Sequence, residues 1–389
     1  MKNYNERMYY LKSFSGIGIG KTSEAIKQAT AGLNEPQLII FFSGIEVIEE
    51  ASELLVEAYP GANVMGVAGS SYNNGKILDS ANFSGKGNKD IIQVLALFDD
   101  ADISCGVLDR LDSIPLYKLK EFSDNLKMVN PGQENTVCIG FPTDYEENFV
   151  STVKTILEPK NIPLVGGTVS GHYGRNINSF ILLNGEKYEH AAGYIFIKNK
   201  VGKIKTYRND TYVKQNRELM QITKIGGGDT QRTIVEIDGE RADKVLAEKF
   251  GVRKEDIEKN KYDITSSTPI SVVIGEKTYV SSLKQVNSDG SVELFKKVYQ
   301  GGALALMKMG DCAGMESDLV ERMKKDMKNI SFVFSVDCIY RFLLYNSNGF
   351  LETYLKGLAS VGNHVGFVSL GEQDRIQHFN QTMVCAVFE

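Results

Sequence analysis

Residues 63–75, NVMGVAGSSYNNG, place a glycine inside an apolar run and follow it with small polar residues. The same arrangement returns at 162–174 as IPLVGGTVSGHYG and at 364–374 as HVGFVSLGEQD. Each time, a strand-like run and an amphipathic helix come before it and a further apolar strand comes after it. The recurrence predicts a module of strand, helix, strand, glycine turn and hairpin that is used three times. The equivalent glycine turns are expected at 66, 166 and 366–371.

This order of elements predicts an α/β protein with mixed sheets and packed helices. A chain of 389 residues has room for two domains. We expect the boundary at Ile225, because a polar stretch ends there and three glycines follow before a new strand. The predicted domains are therefore 1–225 and 226–389. The segment 271–309 contains two more strand-like runs and is interpreted as the hairpin half of a fourth copy.

The composition excludes several classes of protein. Hydrophobic residues make up 42% and charged residues 24%, as in ordinary globular proteins, and the net charge of −5 argues against a nucleic-acid partner. No apolar run reaches membrane-spanning length and the first ten residues lack the apolar core of a signal peptide, so we expect a cytoplasmic protein without membrane insertion. The five cysteines are widely spaced without a C-x-x-C pair, which favours reduced thiols over disulfides or a zinc site.

Residues 15–22, SGIGIGKT, end like a phosphate-binding P-loop. A P-loop also requires a glycine where this chain has Ser15. In addition, a P-loop domain alternates parallel strands and helices throughout, whereas this stretch leads into the first copy of a hairpin-containing module. We therefore expect no ATP or GTP binding, and no cofactor is predicted.

Five stretches carry a resemblance to a known family. They are LIIFFSG at 38–44, PLVGGTVSG at 163–171, the C-x-x-R run Cys338 to Arg341, Gly371-Glu372, and Asn380-Gln381-Thr382. Taken in this order they resemble the FIST proteins, a family of sensory domains with N- and C-terminal portions. The resemblance implies an intracellular sensor that binds a small polar or anionic molecule, such as an amino acid, and signals to a protein partner.

Two features qualify this resemblance. The family's first glycine turn often contains a cysteine and an acid, and both are absent from residues 66–72 here. The ligand therefore need not be the family's usual one. No separate signalling module is left over in the sequence, so the chain is expected to act as a stand-alone sensor.

Polar side chains gather at the ends of apolar runs near the C-terminus. A guanidinium such as Arg341 can form a bidentate pair with a carboxylate such as Glu372, or can bind a ligand anion instead. The amides and hydroxyl that follow suit a polar-selective pocket, although such residues also form turns without any ligand. The residues expected to converge on one ligand cleft are Arg341, Glu372, Asn380, Gln381, Thr382 and Cys338.

Ser170 and His172 follow the second glycine turn and are further candidates for ligand contact. Ser170 does not lie in a G-x-S-x-G elbow, so a hydrolase nucleophile is unsupported. A few FIST relatives are reported as haem-based gas sensors, and in that alternative His172 would be the axial ligand. The histidines show no metal-binding spacing, and no metal is predicted.

An enzyme is the second alternative. A hydrolase or transferase would use Cys338 or Glu372, and a nucleophilic thiolate would need a base such as His378 nearby. The sequence shows no paired acid and base at catalytic spacing, so ligand binding is the preferred interpretation. The sequence does not determine the oligomeric state.

Overall fold

The described part of the chain forms four β-sheets with packed helices. The computed structural model describes residues 10–113, 116–228, 231–375 and 377–389. Three of the sheets have six strands and the fourth has nine. The predicted mixed α/β class is therefore confirmed. In these ranges, no helix is both long and apolar enough to cross a membrane.

Two successive units of the chain share one order of elements. The first contains β1 (Ser13–Ile19), α1 (Thr22–Ala29), β2 (Leu38–Ser43), α2 (Ile48–Ala58), β3 (Asn63–Ala68), β4 (Ser71–Asn73), β5 (Lys76–Leu78) and β6 (Ile91–Leu97). The second contains β7 (Ala101–Leu108), α3 (Leu119–Met128), β8 (Thr136–Pro142), α4 (Glu146–Leu157), β9 (Leu164–Gly167), β10 (Phe180–Leu183), β11 (Glu186–Glu189) and β12 (Ala192–Asn199). Short 3-10 turns at Leu116–Lys118 and Glu158–Lys160 precede α3 and follow α4.

A third unit is split by an inserted sheet. It opens with β13 (Ile204–Asp210), and the insertion follows. The inserted elements are β14 (Tyr212–Lys214), β15 (Met220–Ile225), β16 (Thr233–Ile237), β17 (Glu240–Arg241), α5 (Ala242–Phe250), α6 (Lys254–Ile257), α7 (Lys261–Ser267), β18 (Ile270–Ile274), β19 (Lys277–Ser281), β20 (Leu283–Val286), β21 (Val292–Leu294) and β22 (Ala303–Met309). The third unit resumes with α8 (Cys312–Asp326), β23 (Phe332–Cys338), α9 (Ile339–Ser347), α10 (Leu351–Ala359), β24 (Asn363–Ser369), β25 (Glu372–Asp374), β26 (Gln377–Phe379) and β27 (Thr382–Phe388).

The inserted elements form the nine-stranded sheet. β15 and β16 pair with each other, so the expected domain boundary at 225/226 falls between two neighbouring strands of one sheet. The boundary itself stays a prediction. The segment 271–309 lies within this sheet, in β18 to β22, and does not form the hairpin half of a fourth copy.

The three six-stranded sheets exchange hairpins. Their own strands follow the orders β1-β6-β2-β3, β7-β12-β8-β9 and β13-β27-β23-β24. Each sheet is then completed by a hairpin from another unit. β10 and β11 of the second unit complete the first sheet, β25 and β26 of the third unit complete the second, and β4 and β5 of the first unit complete the third. The exchange is cyclic, so every unit both gives and receives a hairpin.

Of the glycines expected in turns at 66, 166 and 366–371, Gly66, Gly166 and Gly366 lie inside β3, β9 and β24, whereas Gly371 lies in the turn between β24 and β25. Each of the three strand glycines takes the middle position among the three residue pairs that join its strand to the incoming hairpin strand. The pairs are Gly66 with Leu182, Gly166 with Gln373, and Gly366 with Tyr72. A Cβ at Gly366 would lie 2.2 Å from the hydroxyl of Ser335, so a side chain there would clash with the neighbouring strand.

The units meet in one apolar core. Phe42 of the first unit stacks on Phe367 of the third at 5.6 Å between ring centroids, and Phe141 of the second lies 5.5 Å from the same ring. These rings are at most 1% exposed. Buried aromatic side chains contribute strongly to core stability. These ring contacts therefore join the three sheets, in addition to the exchanged hairpins.

The glycines of SGIGIGKT have a packing role. Gly16 and Gly18 lie in β1, directly under α1. A Cβ at Gly18 would lie only 1.8 Å from the backbone oxygen of Ala25. The stretch therefore lets a strand and a helix approach closely.

We expect Gly18→Ala to lower the free energy of unfolding by about 2–3 kcal/mol, because overpacking forces the backbone apart. Urea denaturation followed by circular dichroism measures this. Gly61→Ala is the matched control, since a Cβ there meets nothing within 4 Å. Its effect should stay within about 0.5 kcal/mol. Equal effects of the two substitutions would contradict the packing role.

Candidate functional site

The six residues expected to form a ligand cleft are all buried in the third unit. Each is at most 1% exposed. Cys338 ends β23, Glu372 begins β25 and Thr382 begins β27. Arg341 lies in the first turn of α9 and not at a strand end. Asn380 and Gln381 connect β26 to β27.

Arg341 is neutralised by two carboxylates. Its guanidinium donates to Glu316 of α8 and to the hydroxyl of Thr211 at 2.7 Å, and its Nε lies 3.2 Å from Asp337. The expected partner, Glu372, is not among these contacts, so that part of the prediction is wrong. The charge of Arg341 is consequently satisfied by the protein. Arg341 therefore forms the structural ion pair that was the alternative to ligand binding, but with Glu316 and Asp337 instead of Glu372.

Two tyrosines complete the environment of this ion pair. Tyr345 donates to Glu316 at 2.9 Å, and Tyr354 donates to Asp337 at 2.7 Å. Burial raises the pKa of Asp337 to about 7, although Arg341 and the Tyr354 hydroxyl oppose the increase. Asp337 therefore titrates near neutral pH.

Glu372 is held by hydroxyl groups. Its carboxyl group accepts hydrogen bonds from Ser369 at 2.6 Å, from the Thr382 hydroxyl at 2.9 Å and from the Thr382 backbone N–H at 3.2 Å. Burial nevertheless raises the pKa of Glu372 to about 8. Its hydrogen-bond partners among the described residues include no cation, so the carboxyl group is mostly protonated at pH 7.

Asn380 and Gln381 connect the third unit to the nine-stranded sheet through hydrogen bonds. Asn380 accepts a hydrogen bond from the backbone N–H of Ser282 at 3.2 Å and donates to the Leu370 carbonyl at 3.3 Å. Gln381 donates to the Ser282 hydroxyl at 3.0 Å. Both amides are used in connecting two sheets.

Cys338 is poorly suited to nucleophilic chemistry. Burial raises the pKa of its thiol well above the usual value, and the nearby Glu372 adds to the effect. The thiolate is the reactive form, so this environment suppresses reactivity. The ring of His378, the expected base, contacts Gln373 at 3.1 Å.

Ser170 and His172 lie apart from this group along the chain. Ser170 is buried and donates to the backbone carbonyl of Val368, joining the second and third units. His172 is half-buried, and burial lowers the pKa of its imidazole. In the described ranges, no cluster of three or more His, Cys, Asp or Glu side chains is placed to hold a metal ion.

A second site, which the sequence did not indicate, lies between α4 and the nine-stranded sheet. We call it the α4 cleft. Its first lobe has a volume of about 250 Å³ and its second lobe about 200 Å³, and both lobes contact Glu147 and Lys297. The polar residues that line the second lobe are Glu147, Ser151, Lys154, Lys296, Lys297, Tyr299, Gln377 and His378.

The acids at the start of α4 are already paired. Arg232 donates to Glu146 and to Glu147, each at 2.6 Å. Glu147 also accepts from the backbone N–H of Lys297 at 2.6 Å. Burial would raise the pKa of Glu146, but Arg232 outweighs it and lowers this pKa to about 2. Both acids therefore bind α4 to the nine-stranded sheet.

A chain of hydrogen bonds connects the cleft to the hairpin of β25 and β26. Glu146 accepts from Thr168 at 2.9 Å, and Gln373 donates to Thr168 at 3.3 Å. Gln373 also contacts the ring of His378, whose backbone carbonyl accepts from the Lys296 amine at 2.5 Å. The hairpin donated by the third unit therefore forms part of the cleft wall.

Comparison with protein families identifies the chain. A FIST N domain matches residues 37–240, and a FIST C domain matches residues 242–375. The matches cover nearly the whole chain, so it belongs to the FIST family, whose domains are sensory and signal-transduction domains. The predicted family is confirmed. A comparison with curated proteins found no match.

Proposed function

We propose that this protein senses a small anionic metabolite, such as an amino acid or another small organic acid, in the α4 cleft. A protein partner then responds to whether the ligand is bound. The observation that carries the proposal is the excess of cations in the second lobe of this cleft.

Three lysines line this lobe, and the acid beside them is occupied. Lys154, Lys296 and Lys297 all contact the lobe, whereas Glu147 already accepts from Arg232 and from a backbone N–H. Lys154 lies 3.8 Å from Glu158, but both side chains are exposed to water, so this pair is weak. Cations held against low-dielectric walls attract an anion more strongly than cations in open water. The small volumes of the two lobes suit a ligand of amino-acid size.

The residues from the FIST-like motifs have a supporting role in this proposal. Asn380 and Gln381 hold the loop at Ser282, and Glu372 with Thr382 fixes the start of the hairpin whose other strand carries His378. These contacts position the wall of the α4 cleft. The ligand itself contacts the lysines.

The architecture of the cleft supports signalling. Its walls come from the second unit, from the hairpin of the third unit and from the nine-stranded sheet. A ligand that binds all three walls favours one arrangement of them, and a partner that prefers this arrangement detects the ligand. The partner and the cytoplasmic location stay predictions.

The proposal is tested by thermal melting with a panel of amino acids and small organic acids. At least one acid should raise the melting temperature of the wild type. Lys297→Ala should weaken its binding by about tenfold or more, because a charge-assisted contact contributes about 1.5–3 kcal/mol. Lys259→Ala is the matched control, since Lys259 is exposed and lies outside both lobes. An acid that stabilises wild type and Lys297→Ala equally would contradict the assigned site.

A further inference from the structure

Lys296 is a buried amine without a carboxylate partner among the described residues. It is 4% exposed. Its Nζ donates to the backbone carbonyl of His378 at 2.5 Å and lies 3.5 Å from the side-chain oxygen of Gln377. Lysines are rarely buried unless they are paired with an acid, because desolvation of the ammonium ion is costly. The position of Lys296 therefore calls for an explanation beyond packing.

The environment of Lys296 increases the fraction of its neutral, nucleophilic form. Burial lowers the pKa of this amine to about 8, and the attraction of Glu147 only partly opposes the shift. Since each pKa unit changes the ratio tenfold, the neutral fraction at pH 7.5 is on the order of a hundredfold larger than for an ordinary lysine. A neutral lysine in a desolvated pocket is the form that attacks carbonyl groups.

The second lobe of the α4 cleft has the chemistry to hold a carbonyl compound beside this amine. Lys297 and Lys154 provide cations for a carboxylate group, while Val150 and Val272 provide an apolar wall for a short alkyl group. The volume of about 200 Å³ limits the ligand to a few carbon atoms. A 2-oxo carboxylate has the three required parts: an anion, a carbonyl and a small apolar group.

We propose that Lys296 forms a reversible Schiff base with a small 2-oxo carboxylate bound in the second lobe. The inference rests on the proposed function and names the chemical class of its ligand. The nitrogen lone pair forms the new C–N bond, and the carbonyl oxygen takes one amine proton and becomes a hydroxyl group. This hydroxyl then takes the second amine proton and leaves as water when the C=N bond forms. Amine and oxo acid thus give imine and water, without an oxidant or reductant.

The test is reductive trapping with pyruvate as the probe. Cyanoborohydride delivers hydride to the imine carbon and nitrogen takes a proton from water, which leaves a stable carboxyethyl group on the lysine. Peptide mapping at pH 7.5 should find at least about tenfold more adduct on Lys296 than on exposed lysines such as Lys259. Lys296→Arg, which keeps the charge and a donor for the His378 carbonyl, should lose this adduct. Lys259→Met should retain it.

Lactate separates this inference from the proposed function, because it has the same carboxylate and no carbonyl group. It should raise the melting temperature and slow the labelling of Lys296. Stabilisation by lactate or pyruvate without an adduct on Lys296 would overturn the Schiff base and leave the anion site intact. Labelling spread over lysines according to their exposure would also overturn it. If no acid of the wider panel stabilises the protein and no selective adduct forms, both proposals fail.

Discussion

Arg341→Met should lower the free energy of unfolding by about 3–5 kcal/mol, as measured by urea denaturation at pH 7. The substitution preserves much of the side-chain volume but removes the guanidinium that neutralises Glu316 and Asp337. Two buried acids then lose the cation that both of them contact. Removing one partner of a buried ion pair is costly because the remaining charge stays desolvated.

Arg253→Met is the matched control for this experiment. Arg253 also pairs with a carboxylate, that of Asp256 at 2.8 Å, but its side chain is 79% exposed. The loss there should be below about 1 kcal/mol, as for other surface pairs. Similar small losses in the two variants would refute the structural role of Arg341. Loss of binding in Arg341→Met without any loss of stability would instead show that Arg341 contacts the ligand.

Glu372→Gln should make stability less dependent on pH. The pKa of Glu372 is about 8 in the folded protein and near the ordinary 4.5 when unfolded. Between these values the folded protein binds more protons, so the contribution of Glu372 is most favourable below pH 4.5 and is lost as pH rises towards 8. Glutamine is uncharged, like the protonated carboxyl group, and its amide can still form hydrogen bonds with Ser369 and Thr382. The variant should therefore exceed the wild type in stability above pH 8, by several kcal/mol at most.

Urea denaturation at intervals from pH 5 to 9 checks this expectation. Glu53→Gln serves as the control, because Glu53 lies exposed on α2 and should leave the pH profile unchanged. Asp337 also contributes to the pH dependence of the wild type, because its raised pKa of about 7 likewise makes stability fall as the pH rises. Glu372→Gln should consequently reduce the slope without abolishing it. A slope identical to that of the wild type would contradict the assignment.

Local patterns in the sequence account for the features that could be predicted. The apolar residues of α2 recur at helical spacing, and the structure buries Ile48, Ala51 and Leu55 on one face. The family could be inferred because its motifs are short and contiguous. Pairing between distant segments has no such local pattern. Nothing in the sequence around Tyr72 indicates that its strand pairs with Gly366 and leaves its own sheet.

The candidate site was missed for the same reason. The side chain of Glu147 accepts a hydrogen bond from the backbone N–H of Lys297, but the two residues come from the second unit and from the insertion. Glu316 sits on a helix rich in charged residues, CAGMESDLVERMKKD, where a buried acid cannot be distinguished from its exposed neighbours. A pair of adjacent lysines after a strand is an ordinary surface pattern. Only the tertiary structure shows that Lys296 is buried and that no described acid pairs with it.

The exchanged hairpins determine how much of the chain must leave the ribosome before the protein can complete its fold. The first sheet can close once residue 189 has been synthesised, because β11 ends there. The second sheet can be completed only after residues 372–379 have been made, and the hairpin at 71–78 can pair only after β24, near the end of the chain, has been made. Such long-range pairing slows folding and leaves strand edges exposed in the meantime. A nascent chain that stalls after the insertion would therefore present two unfinished sheets to chaperones and proteases.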